Sequence, residues 1–110
     1  MAEQQNIKLY IAQNGKAPFQ EWLELLKDVK VRAIIRVRLD RMRMGNFGDI
    51  KHVGARIYEL RIQYGPGYRV YFGRINKNIV LLLCGGSKSS QRKDIYRAHA
   101  YWEDYRRRKA

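Results

Sequence analysis

The chain has 110 residues, of which 45% are hydrophobic, enough to build the core of one compact domain over residues 1–110. Its 23 lysines and arginines outnumber its 10 acidic residues, so its formal charge is +13. A basic domain of this size typically binds a polyanion, most often nucleic acid, although an acidic protein partner fits the same charge. The single cysteine, Cys84, excludes a disulfide framework and is expected in the core.

The same composition argues against a metal centre and a membrane segment. One cysteine and two histidines are too few for the usual set of zinc ligands, and we expect no cofactor. No apolar run approaches the ~20 residues that cross a bilayer. The polar start of the chain, MAEQQN, has none of the features of a signal peptide. We therefore expect a cytoplasmic protein without a membrane partner.

The first part of the chain predicts a strand followed by a helix. Ile7–Ala12 is β-branched and aromatic, which is typical of a strand. Pro18 suits the first turn of a helix. From Phe19 onward, apolar side chains stand at i, i+3, i+4 and i+7, which predicts one buried stripe. We expect this helix to end at Lys27-Asp28.

Val29–Met44 fits two patterns. Its apolar residues alternate as in a strand, but they also recur at helical spacing. Sixteen residues without glycine or proline are long for a strand and ordinary for a helix, so we predict a helix. The opposite charges of Arg36 and Asp40, four residues apart, agree with this choice. Arg32 and Arg36 then belong to a basic outer stripe, which is either a solvated surface or a contact for RNA.

Two strand patterns and a turn follow between Arg56 and Phe72, and the second pattern alternates Tyr68, Val70 and Phe72 with Arg69 and Tyr71. Apolar residues from Tyr58 to Tyr64 alternate with polar ones, which predicts a half-buried strand. Gly65-Pro66-Gly67 then predicts a turn to an antiparallel neighbour. The sheet therefore has one apolar face and one face carrying Arg61, Arg69 and Tyr71.

The rest of the chain predicts one more strand and a final helix. Ile79–Cys84 is apolar throughout, so we predict the central strand, buried on both faces. We expect Gly85-Gly86 to turn the chain sharply and to direct Lys88 back over Arg61 and Arg69. Apolar residues at helical spacing then predict a C-terminal helix whose neighbouring face carries Tyr96.

Several segments together point to a known family. They are GKAPFQEWLELLKD, GNFGDIKHVG, YELRIQYGPGYRVYF, VLLLCGGSKSSQ and DIYRAHAYW. In this order they resemble the addiction-module killer proteins, which are HigB-like toxins of the RelE/ParE superfamily in type II toxin–antitoxin systems. The resemblance spans 15–102 and implies an α+β fold. In that fold an N-terminal strand and a helical hairpin pack on a small, mainly antiparallel sheet with a C-terminal helix.

The resemblance also implies a function and partners. Members that resemble RelE cut mRNA, usually in the ribosomal A site, whereas members that resemble ParE poison DNA gyrase. Both kinds are neutralised by a small cognate antitoxin, commonly a helix-turn-helix protein, and the pair binds operator DNA to repress its own operon. The implied partners are therefore the antitoxin, mRNA and the ribosome, with operator DNA bound only through the antitoxin complex.

The resemblance assigns five positions to the site. Arg61 in ELRI and Arg69 in GYRV match the family's basic strand positions, and Lys51 falls in the loop before them. Lys88 follows the glycines, where the family places another cation, although the segment GGSKSSQRK is longer here than in RelE. Tyr96 in DIYRA matches a tyrosine near the start of the last helix.

Metal-free RNA cleavage needs a base for the 2′-hydroxyl proton, an acid for the leaving 5′-oxygen, and cations for the developing charge. Guanidinium groups suit the phosphate oxygens. The candidates for proton transfer are Lys51, Lys88 and His52. The opposing interpretation of Arg61 is a salt bridge to Glu59 or Asp94.

Three functions remain open from the sequence: an mRNA endonuclease, a DNA gyrase inhibitor, and a basic binding module that acts only within a repressor complex. A nuclease requires cations and a proton-transfer group on one face, and we expect Arg61, Arg69, Lys51, His52 and Tyr96 to supply them. Analogy with the family favours the nuclease. The candidate catalytic residues are Arg61, Lys88, Tyr96 and His52. The candidate RNA and phosphate contacts are Lys51, Arg69, Arg32 and Arg36.

Overall fold

The computed structural model describes residues 3–109, which form an α+β fold with a five-stranded mixed sheet and three α-helices. A single 3₁₀ turn, Lys88–Ser90, precedes the last helix. The elements in chain order are β1 (Asn6–Leu9), α1 (Pro18–Leu25), α2 (Val29–Arg43), β2 (Ile50–His52), β3 (Ile57–Ile62), β4 (Tyr68–Asn76), β5 (Ile79–Ser87) and α3 (Gln91–Lys109).

The strands lie in the order β1-β5-β4-β3-β2. β1 runs parallel to β5, and the other neighbours are antiparallel. The central strand is therefore β4, and the prediction that Ile79–Cys84 is central was wrong. β5 is nevertheless buried along most of its length, because β1 covers its outer edge and helices cover both faces.

Helices cover the two faces of the sheet. α1 and α2 contribute buried apolar side chains to the cluster on one face, and α3 contributes to the cluster on the other. The residues of α2 in the first cluster are Val31, Ile35, Leu39 and Met42. This spacing confirms the helix predicted for Val29–Met44, which begins after Asp28, whose side chain accepts a hydrogen bond from the Lys30 amide. Within residues 3–109, no helix combines the length and the apolarity that a membrane crossing requires.

The glycines at the end of β5 serve close packing rather than a turn. Gly85 and Gly86 lie inside the strand and are buried, and neither has a positive φ. A Cβ on Gly85 would collide with the Trp22 ring, and a Cβ on Gly86 would collide with the Asp94 carboxyl. The prediction of a sharp turn at Gly85-Gly86 was therefore wrong, and the chain changes direction only at the 3₁₀ turn that starts with Lys88.

Gly73 in β4 makes a similar close contact, which leads to a prediction about stability. A Cβ at this position would collide with the six-membered ring of Trp102 on α3. We expect Gly73→Ala to lower the free energy of unfolding by about 1–3 kcal/mol, the usual cost of overpacking a core. Urea denaturation measures this change.

The matched control is the same Gly73→Ala substitution made in a Trp102→Ala variant. Without the indole ring, Gly73→Ala should be neutral or stabilising by about 0.4–1 kcal/mol, because alanine has fewer conformations in the unfolded chain. An equal loss of stability in both backgrounds would contradict the proposed contact.

Candidate functional site

A cavity of about 410 Å³ lies at the turn between β3 and β4, and we call it the candidate site. It is lined by residues 61–69 and by Lys88. Arg61 and Arg69 stand directly opposite each other on the paired strands, so their side chains project from the same face of the sheet. The structure therefore brings together Arg61, Arg69 and Lys88, although they come from three different elements.

Gly67 lies beside both Lys88 and Arg69. Its φ of +88° is a conformation that favours glycine. The Lys88 amide donates a hydrogen bond of 3.0 Å to the Gly67 carbonyl oxygen. A Cβ on Gly67 would be in van der Waals contact with both neighbours, at 3.5 Å from the Lys88 Cβ and 3.7 Å from Arg69 Nη1. The turn at residues 65–67 thus holds the start of the Lys88 side chain beside the Arg69 guanidinium.

Asp49 orients the guanidinium of Arg61. Arg61 Nη2 and Nε lie 3.0 and 3.2 Å from Asp49 Oδ1, and Gln63 Nε2 donates a 3.3 Å hydrogen bond to Asp49 Oδ2. The hydrogen bonds from Arg61 hold the pKa of Asp49 below its ordinary value. Arg61 does pair with a carboxylate, but the expected partners, Glu59 and Asp94, were wrong. Both side chains of the observed pair stay more than a third exposed.

Arg38 on α2 attaches the loop with Asp49 to β3. Its Nη1 donates a 2.7 Å hydrogen bond to the Arg61 carbonyl oxygen, and its Nη2 reaches the Asp49 carbonyl oxygen at 3.5 Å. The Arg61 amide also donates to the Asp49 carbonyl oxygen. Burial lowers the pKa of Arg38. Nothing in the sequence pattern set Arg38 apart from the exposed arginines of the same helix.

Behind the candidate site lies a buried carboxylate, Glu59, with no exposed surface. Its Oε2 accepts hydrogen bonds from the Tyr71 hydroxyl at 2.9 Å and from Gln91 Nε2 at 2.8 Å. Arg69 Nε lies 3.4 Å from the same oxygen, as an ion pair without hydrogen-bond geometry. Burial and the bond to Glu59 raise the pKa of Tyr71 well above its ordinary value. The carboxylate thus balances the charge of Arg69 and holds its guanidinium against the sheet.

Lys51 and His52 belong to opposite faces of the sheet. Lys51 pairs with Glu59 across β2 and β3, so it shares the face of Arg61 and Arg69 but does not line the candidate site. His52 pairs with Tyr58 and stands on the other face, since successive strand residues alternate. Its ring lies 5.1 Å from the Tyr58 ring. The expectation that His52 converges with the two arginines was therefore wrong.

The other predicted residues also lie outside the lining of the candidate site. Tyr96 is 79% exposed on α3. It lies one turn before His99, whose Nε2 contacts the Val53 carbonyl oxygen at 2.8 Å, and so it faces the β2 side of the helix. Arg32 and Arg36 belong to α2, on the face of the sheet opposite α3. The structure therefore does not bring Tyr96, Arg32 or Arg36 into the cavity of Arg61 and Lys88.

Comparison with known proteins identifies a relative of this chain. No protein-family model matches it. An uncharacterized protein of Haemophilus influenzae is 52% identical over 80 residues, which cover 73% of this chain and 81% of that protein. The chain belongs to the same family as this H. influenzae protein. Because the name of that relative states no activity, the function has to be argued from the site.

Proposed function

We propose that the protein is a HigB-like toxin of the RelE/ParE superfamily, which cleaves mRNA on the ribosome without a metal ion. One observation supports this most strongly: Arg61, Arg69 and Lys88 converge on one cavity of about 410 Å³. Asp49 and Glu59 each pair with one of the arginines but stand outside the lining, so the cavity itself presents three cationic side chains and no carboxylate to an incoming anion. The scissile phosphate of an RNA strand is the anion that we propose.

In the proposed reaction, the 2′-hydroxyl loses its proton to a water molecule, and the 2′-oxygen attacks the adjacent phosphorus while the bond from phosphorus to the 5′-oxygen breaks. The products are a 2′,3′-cyclic phosphate and a 5′-hydroxyl. Arg61 and Arg69 stabilise the charge that develops on the non-bridging oxygens, because a guanidinium fork matches their geometry. The ammonium of Lys88 donates a proton to the leaving 5′-oxygen.

This proposal assigns no side chain to the role of general base. The lining of the cavity contains neither a carboxylate nor an imidazole. Asp49 contacts Arg61 from outside the lining, but hydrogen bonds from Arg61 lower its pKa and make it a weaker base. His52 stands on the opposite face of the sheet. Lys51 and Tyr96 stand outside the lining, where we propose that they contact the RNA strand beyond the scissile phosphate.

The proposed partners follow from the same family. We propose a cytoplasmic toxin that is silenced by a small antitoxin, commonly a helix-turn-helix protein, and that reaches operator DNA only within that complex. The formal charge of +13 supports fast, salt-sensitive association with an acidic antitoxin segment. The packing of α1 and α2 on one face of the sheet supports the helical hairpin of the superfamily.

Short induction in a bacterial host tests the proposed function. We expect growth arrest, a stop in protein synthesis, and new transcript 5′ ends that carry a hydroxyl group. Mapping those 5′ ends after a brief pulse measures cleavage directly. The gyrase alternative predicts a different result: DNA supercoiling is lost while translation continues and transcripts stay intact. That outcome would overturn the nuclease proposal.

A further inference from the structure

A second basic cleft lies at the other end of the paired strands β3 and β4. It has a volume of about 380 Å³ and is lined by Ala55, Arg56, Tyr58, Arg74 and Lys77. We call it the second cleft. Arg56 precedes β3, and Lys77 follows β4, so this cleft is five residues away from Arg61 along β3. At about 3.4 Å per residue, the two clefts are separated by roughly 17 Å.

The backbone holds the two arginines of the second cleft in place. Arg56 Nε donates a 2.6 Å hydrogen bond to the Arg74 carbonyl oxygen, and the Arg74 amide donates back to the Arg56 carbonyl oxygen at 2.9 Å. The Arg74 guanidinium lies 4.7 Å from the centre of the Phe47 ring and donates to the Lys77 carbonyl oxygen. The positions of the two guanidinium groups are thus set by the ends of the strands.

These cations are poorly neutralised by the protein itself. Within residues 3–109, no carboxylate lies within 4.0 Å of the Arg56 or Arg74 side chain. Lys77 has a distant partner, Glu3, at 4.0 Å, and its side chain is 79% exposed. In the candidate site, by contrast, Asp49 and Glu59 each lie beside an arginine. The two arginines of the second cleft therefore carry positive charge that no carboxylate of residues 3–109 compensates.

An aromatic surface borders the same cleft. Tyr58 lines it, and the His52 ring lies 5.1 Å from the Tyr58 ring with the two planes tilted by 49°. His52 Nε2 also contacts the carbonyl oxygen of Ala55, another lining residue, at 2.7 Å. The His52 ring is exposed. Cations beside an open aromatic ring are the combination that binds single-stranded nucleic acid, since phosphates contact the cations and bases stack on the ring.

We propose that the second cleft binds a single-stranded segment of RNA, with phosphates on Arg56, Arg74 and Lys77 and a base on His52 and Tyr58. An acidic peptide would use the cations but has no base to stack on the ring. Duplex nucleic acid keeps its bases stacked inside the helix. This site goes beyond the proposed cleavage, because binding here requires no reaction and lies on the other face of the sheet from the candidate site.

Fluorescence anisotropy with a labelled 2′-O-methyl oligoribonucleotide of about 12 nucleotides tests the proposal. The methyl groups block cleavage, so the result does not depend on the proposed nuclease activity. We expect Arg56→Gln/Lys77→Gln to weaken binding by about tenfold. The slope of log K against log salt concentration should fall by about 1.4, since each phosphate contact on a single strand contributes about 0.7. Both replaced side chains are exposed, so the fold should be retained.

Two further variants keep the proposal falsifiable. Lys27→Gln/Lys30→Gln removes the same charge at the start of α2, and it should bind within about twofold of the wild type. An equal loss in this control would show that only net charge matters and would overturn the site. His52→Ala should weaken oligonucleotide binding about fivefold while leaving inorganic polyphosphate binding unchanged. Equal effects on both probes, or equal affinity for duplex RNA, would overturn the stacking of a base.

Discussion

Replacing Glu59 by alanine should lower the free energy of unfolding by about 3–5 kcal/mol, as expected when one partner of a buried ion pair is removed. Glu59 has no exposed surface, and the side chain of Arg69 is only 13% exposed. The substitution would leave the Arg69 charge without its counterion and would also remove the acceptor for Tyr71 and Gln91. Denaturation in urea measures the loss of stability. The anisotropy of a labelled RNA oligonucleotide measures RNA binding once Arg69 has lost its counterion.

Two controls separate the buried network from a general loss of charge. Glu103→Ala removes an exposed carboxylate that pairs with Arg106, and it should change stability by about 1 kcal/mol or less. Glu59→Gln keeps the shape of the side chain and an acceptor for the Tyr71 hydroxyl, so it should destabilise less than Glu59→Ala. If Glu59→Ala were as stable as Glu103→Ala, the carboxylate would not be needed to hold Arg69.

The parts of the fold that depend on local pattern could be predicted from the sequence. Val29–Met44 is long and has no glycine or proline, which predicted a helix, and the structure confirms this prediction as α2. Alternation along Tyr58–Tyr64 predicted β3 and, with it, the side of the sheet that carries Arg61. Alternation on both sides of the turn at 65–67 likewise predicted that Arg61 and Arg69 share one face of the sheet, and the structure places them directly opposite each other.

Contacts between distant parts of the chain could not be predicted in this way. β2 has only three residues and shows no alternation of its own, so Lys51 and His52 were not assigned to opposite faces. Position 85 requires glycine because the Trp22 ring packs on it, and no local sequence pattern indicates this contact.

The carboxylates of the candidate site depend on similar long-range contacts. Glu59 accepts hydrogen bonds from residues 12 and 32 positions away. Asp49 meets Arg61 across 12 positions. The cations were therefore predictable from local pattern, whereas the groups that hold them in place were not.

Lys88→Met should lower the single-turnover rate of RNA cleavage by about 100-fold or more, while RNA affinity stays within about tenfold. The backbone hydrogen bond from Lys88 to Gly67 and the 3₁₀ turn after it do not involve the side chain, so the loop should keep its shape. Methionine retains much of the apolar stem of lysine but cannot donate a proton. The cleavage rate should therefore fall because the leaving 5′-oxygen is no longer protonated by this side chain.

Lys93→Met is the matched control, since Lys93 is also an exposed lysine near the start of α3 but does not line the candidate site. It should leave the cleavage rate unchanged. If Lys88 only holds a phosphate, its replacement should weaken binding and reduce the salt slope by about 0.7, with little further loss in rate. Lys88→Arg then decides between the two roles. An arginine keeps the positive charge but does not release a proton in proteins, so a proton donor predicts a slow Lys88→Arg enzyme and a phosphate contact predicts an active one.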